Sequence, residues 1–251
     1  MGVFHILTAF SLVLICTFIS WKQDHHLEKD FLIGALRNIL QLLLLGFILN
    51  WIFKNSSLSL SLVIAFIMTF NSAIHSSQRI KSKYPKIMLN NFVATSLAIW
   101  PIAFLSTQIL GEGVWWRPET FLPILGMLLG STLNGMSLGI EHFCHEVREK
   151  KEDVLTLLAL GATAQESTKE LMKRSLKIAM TPNLNAMLSM GLVSIPGMMT
   201  GQILGGSDPT EAAIYQIVMM LLIVASCYLS SYLGLLFSQR KLFNSLGQPC
   251  F

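Results

Sequence analysis

The stretch EDVLTLLALGATAQESTKELMKRSLK runs from Glu152 to Lys177. It continues without a charge as IAMTPNLNAMLSMGLVSIPGMMTGQILGG, from Ile178 to Gly206. The first part is amphipathic, with its basic residues gathered at Lys169–Lys177, and the second is apolar yet holds Pro182, Asn183, Asn185, Pro196 and five glycines. Prolines and glycines inside an apolar run free backbone carbonyls, which in a bilayer must be met by protein or by a water-filled cavity. Broken helices of this kind supply transport sites in membrane carriers. One half therefore suits a soluble partner at the membrane surface, and the other suits a path through the bilayer. A kinked packing helix beside a lipid-bound surface helix is the plainer alternative.

The rest of the chain sets that stretch in a membrane. Of the 251 residues, 53% are hydrophobic and 13% charged, with a mean hydropathy of +0.58. Soluble domains carry about 25% charged residues. Nothing in the sequence resembles a separate soluble domain, so residues 1–251 read as one transmembrane domain with a cytoplasmic segment at about 141–177. A spanning helix needs about 20 mostly apolar residues, which predicts an all-α polytopic protein of about seven spans: Val3–Trp21, Phe31–Phe53, Leu58–Ile74, Asn91–Leu110, Phe121–Ile140, Leu184–Leu204 and Ala212–Ser238. The sixth is alternatively re-entrant. The N-terminus lacks a basic leader and a small-residue cleavage site, so the first span reads as retained.

Lys and Arg are held in cytoplasmic loops. With the N-terminus outside, fifteen of the 18 basic residues lie inside, Lys54 and Arg117 lie outside, and Arg37 sits in a span, placed to snorkel. The expected topology is N-terminus out and C-terminus in. Trp115 and Trp116, after Gly111-Glu112-Gly113, read as interfacial anchors. The four cysteines show no CxxC spacing, and a disulfide framework is not expected.

The absences narrow the function. No Asp or Glu falls in a predicted span, which counts against proton- or sodium-coupled carriers. No phosphate-binding G-x-x-x-x-G-K-[ST] loop is present, so the energy for active transport would come from another chain. Neither catalysis, a cofactor nor nucleic acid is indicated.

Within the cytoplasmic segment, Val154, Leu157, Leu158 and Leu160 form a short apolar stripe and Gly161 breaks the helix, which resumes at Ala164. A helix, a glycine hinge and a second helix suit docking into a partner's groove, or resting on anionic lipid. In the uncharged run, the methionines would suit soft metals, whereas Asn185, Thr200 and Gln202 offer oxygens to hard ones; packing is the plain reading of the methionines. Asp208-Pro209-Thr210-Glu211 predicts a capped start to the last helix. Asp24-His25-His26 with Glu28, and Glu141-His142 with Cys144, His145 and Glu146, look ligand-rich but read best as solvated interface residues. Gly126-x-x-x-Gly130 and Gly135-x-x-x-Gly139 permit close helix packing, within the chain or between copies.

A family resemblance joins these parts. Leu158–Thr163 with Glu166, Ala179–Asn183 with Asn185–Met187, and Gly191–Gly206 with Pro209 and Tyr215–Val218 resemble the family of the bacterial iron-export ABC permease and the plant aluminium-sensitivity protein. So do Arg37 with Gln41–Leu44, and Gly130-Ser131 with Asn134–Leu138. The match covers most of the chain, with Glu166-Ser167 standing where members commonly have Glu-Ala. The resemblance implies a permease subunit that dimerises and pairs with a cytosolic ABC ATPase, exporting a metal ion by alternating access. It implies an ATPase-coupling role for Leu160, Gly161, Ala162 and Glu166, and a translocation path along Asn185, Pro196, Met198, Met199, Thr200 and Gln202. A self-sufficient channel or carrier, or a non-transporting scaffold, are the rival readings.

Overall fold

A computed structural model describes residues 3–55, 57–82, 84–110 and 114–243; Gly111-Glu112-Gly113 and Cys250 lie outside the described residues. The chain forms two compact units, Met1–Ser56 and Ser57–Phe251. The first is a helical hairpin of α1 (Val3–Lys22) and α2 (Glu28–Lys54). Between them Asp24 and His26 take left-handed backbone angles, φ 51° and 58°. The Ser20 hydroxyl accepts from the Leu27 N–H at 3.2 Å and donates to Glu28 at 3.4 Å, so this ligand-rich sequence builds a turn.

The second unit comprises α3 (Leu58–Arg79), α4 (Ile87–Ile109), α5 (Pro118–Glu149), α6 (Lys151–Ala159), α7 (Ala164–Ser167), α8 (Lys169–Ser189), α9 (Gly197–Leu204) and α10 (Pro209–Leu242). The described residues form helices and no strand, and α2, α3, α4, α5 and α10 are each long and apolar enough to cross a membrane; α1 is shorter.

Three helices outrun their predicted spans, because polar and charged residues end an apolar window without ending a helix. In α3 the helix passes Ile74 through Ser76 and Ser77, both buried, and Asn91 on α4 donates to the Ser76 hydroxyl at 3.2 Å. In α5 the helix passes Ile140 to Glu149, burying Phe143, Cys144 and Val147. α10 reaches Leu242, with Ser230, Ser231 and Ser238 wholly buried. Ser230 and Ser238 bond back to the preceding turn, Ser238 to the Gly234 carbonyl at 2.8 Å, whereas the Ser72 hydroxyl of α3 is buried without a partner.

The core lies at the basic ends of these helices, around Ile80, Met136, Ile140, Phe143, Val147 and Leu235. Tyr84 crosses it to the Ser238 hydroxyl at 2.9 Å. The Glu141 carboxylate accepts the backbone N–H groups of Lys81 and Ser82 at 2.7 and 3.1 Å, tying the α3–α4 loop to α5. On α5, a Cβ at Gly139 would stand 2.9 Å from the Ala179 Cβ, and one at Gly135 would meet Cys227 and the Ala179 carbonyl. These two glycines seat α8 and α10 within the chain, while a Cβ at Gly130 would meet nothing within 4 Å. Trp115 packs edge-on against Phe104 and Phe121 at centroid distances of 5.6 and 6.1 Å, fastening the α4–α5 connection.

Candidate coupling elbow and translocation site

The predicted helix–hinge–helix is present as α6, a bend at Gly161 with φ +91°, and α7 leading into α8. The left-handed angle is where glycine carries no Cβ penalty. The apolar stripe divides between two directions. Val154 is buried and Leu158 packs against the core beside Ala164 and Leu171, while Leu155, Leu157 and Leu160 face outward, Leu160 at 79% exposure. The elbow is thus anchored on one side and presents leucine on the other. Gly161 is exposed and Ala162 half-buried at its tip.

Glu166 is exposed, but its carboxylate is already engaged. It accepts the Thr163 N–H and hydroxyl, both at 2.8 Å, and the Glu166 N–H donates back to the Thr163 hydroxyl at 3.2 Å. This reciprocal capping box holds the Glu166 carboxyl below the usual glutamate range, chiefly through the Thr163 N–H and then its hydroxyl. Thr163-x-x-Glu166 is legible in the sequence as a helix start, and its capping role went unread there. Just beyond, Gln239 of α10 donates to the Thr168 hydroxyl at 2.6 Å, pinning the head of α8 to the tail of α10.

α8 then carries the elbow toward the uncharged run. Pro182 lies inside it without breaking it, and Asn183 accepts from Ser131 of α5 at 2.7 Å. The single span expected over Leu184–Leu204 is instead divided. α8 stops at Ser189, residues 190–196 form a tight bend, and α9 is eight residues long. Gly191 at φ +81° turns the chain, its N–H donates to the Ser194 carbonyl at 2.9 Å, and Pro196 opens α9. Hydropathy averaged over this run cannot register the break, because Leu192, Val193 and Ile195 are apolar and yet exposed in the bend. The turn after α9 is capped as expected. Asp208 accepts the Thr210 and Glu211 N–H groups at 2.8 and 3.3 Å, and these bonds hold its carboxyl below its usual range.

Against this bend sits a cavity of about 510 Å³ between the end of α8, the start of α9 and α10. Met187, Met190, Met199, Met220, Pro196 and Gln216 line it. Of the path residues expected from sequence, it gathers Pro196 and Met199. Asn185 and Thr200 are exposed elsewhere, Thr200 bonding back to the Pro196 carbonyl at 3.1 Å, and Met198 and Gln202 are half-buried outside the lining. Gln216 donates to the Met190 sulfur at 3.8 Å, and its Oε1, like that of Gln202, is buried without a hydrogen-bond partner. Met220 and Gln216 were not legible as site residues, since α10 reads as an uninterrupted apolar span. Met187 and Met190, weighed in the sequence as thioether donors with packing as the plain reading, become a wall once the bend folds back.

The second ligand-rich cluster does not converge. His142 bonds the Ser175 hydroxyl at 3.0 Å, Glu146 pairs with Lys150 at 2.7 Å and His145 with Glu149 at 3.6 Å. Among the described residues no group of three or more His, Cys, Asp or Glu could hold a metal.

Comparison with known proteins agrees with this architecture. The profile of the family described as "Uncharacterised protein family (UPF0014)" matches residues 3–243. The "Probable iron export permease protein FetB" of Escherichia coli strain K12 is 32% identical over 96% of this chain and 92% of its own length. A Synechocystis UPF0014 membrane protein is 30% identical over 90% and 88% of the two chains. "Protein ALUMINUM SENSITIVE 3" of Arabidopsis thaliana is 30% identical over 89% and 81%. No solved structure matches the chain. A multi-pass helical membrane protein that matches this family from its first helix to the end of its last belongs to UPF0014.

Proposed function

We propose that the chain is the permease subunit of an ABC transporter that exports a metal ion, working as a homodimer with a separate cytosolic ATPase. The observation that carries this reading is mechanical. One continuous helix, α8, joins the leucine-faced elbow to the bend that walls the methionine cavity. Force on Leu157 and Leu160 passes through the capped Thr163–Glu166 turn into α8 and displaces Met187 and Met190 against α10. A self-sufficient channel has no use for such a linkage.

Export of an iron-like cation comes from the printed name of the Escherichia coli relative. Gln216 suits that cargo, because its unpartnered Oε1 is a hard donor in a wall otherwise of methionine and aliphatic residues. The test is vesicle flux. Inside-out vesicles carrying the chain and its ATPase should accumulate Fe²⁺ only with hydrolysable ATP, and Gln216→Leu should slow that uptake. Equal uptake without ATP would assign the chain to the channels or carriers.

A further inference from the structure

Outside the elbow and the methionine cavity, a groove of about 730 Å³ runs between α8 and α10. On α8 its wall is Lys173, Leu176, Lys177, Met180 and Leu184, spaced to fall on one helical face; Ala225 lies on the opposite wall. The helices run antiparallel, with Thr168 against Gln239 at one end and Met190 against Gln216 at the other. Both lysines therefore lie at the end where α10 carries Arg240 and Lys241. From Lys173 to Leu184 the groove extends about 16 Å at 1.5 Å per residue, roughly half of a ~30 Å hydrocarbon core.

A basic rim followed by one leaflet's depth of apolar wall matches one occupant in both charge and length. Lys173 and Lys177 are exposed, and the ion pairs His145–Glu149 and Lys150–Glu146 use neither. We propose that the groove holds one acidic phospholipid, its phosphate between Lys173 and Lys177 and an acyl chain along Leu176, Met180 and Leu184. Basic sites between membrane helices take anionic headgroups in this way.

Native mass spectrometry of the full-length chain in detergent tests it, with phosphatidylglycerol or phosphatidylcholine added at matched concentration. The wild type should retain phosphatidylglycerol preferentially, and Lys173→Gln with Lys177→Gln should weaken that retention by about tenfold while leaving phosphatidylcholine unchanged. Lys81→Gln with Lys86→Gln should leave the preference intact, and the deacylated headgroup glycerophosphoglycerol should not compete. Ala225→Trp, which fills an exposed wall without touching the core, should lower retention of both lipids. Undiminished phosphatidylglycerol in the Lys173/Lys177 variant would overturn the proposal. So would an Ala225→Cys disulfide between two copies (Cys16 and Cys250 replaced by Ser), which would assign the groove to a dimer.

Discussion

Gly135 and Glu166 show how a single residue acts through its immediate neighbours. A Cβ at Gly135 has no room, because Cys227 and the Ala179 carbonyl already occupy its place. Overpacking a tight helix contact costs about 1–3 kcal/mol, so Gly135→Ala should lower the thermal midpoint in detergent clearly, while Gly130→Ala, facing open space, should not. Equal effects would show that the glycines do not seat α8. At the elbow, the Glu166 carboxyl titrates below its unfolded value because the folded turn bonds its ionised form. That stabilisation is complete above the unfolded pKa, about 4.3, and is lost as pH falls through the lower folded value. Hydrogen exchange at 163–166, measured relative to Glu166→Ala, should show protection at pH 7 that disappears in acid. Glu166 is thus a structural cap, and replacing it disturbs the turn whether or not a partner touches it. The T-x-x-E spacing announced the cap; only the fold shows the carboxylate turned inward to its own backbone.

Among the elements, five long helices were legible because hydropathy alone decides whether a segment prefers lipid. Their ends were not, because the last turns of α3, α5 and α10 are rich in polar and charged residues, which end an apolar window without ending a helix, and Ser76, Phe143, Val147 and Leu242 are buried there. The division of the sixth span was hidden by averaging, although Gly191 and Pro196 were there to mark it. The bend depends on Gly191 at φ +81°, where a side chain is strained. Gly191→Val should therefore cost about 1–2 kcal/mol and shift the Met190 wall. A thiol probe at Met190→Cys would read this as changed labelling of the cavity; unchanged labelling would mean that the bend is held by its neighbours alone. The elbow was read as helix, hinge and helix, and it is built so. Which leucines face outward required the core, since Val154 and Leu158 are turned inward by Phe143, Val147 and their neighbours.

For the whole molecule, the family and the membrane class were legible from composition and from the Gly191–Gly206 block, whereas the cavity was not. It joins the end of α8 to residues of α10 some thirty positions later, and no single-helix periodicity carries that pairing. Leu160 at 79% exposure and Leu157 at 42% lie outside the core, so Leu157→Asp with Leu160→Asp should leave the fold unchanged. The most direct measurement is affinity purification of this chain from its native membrane in mild detergent, with mass spectrometry for an ABC ATPase, wild type beside that double variant. The account predicts that the ATPase comes with the wild type and is lost with the variant, both chains eluting as folded protein. Absence of any ABC ATPase from the wild type, under conditions that preserve a known ABC complex, would contradict it.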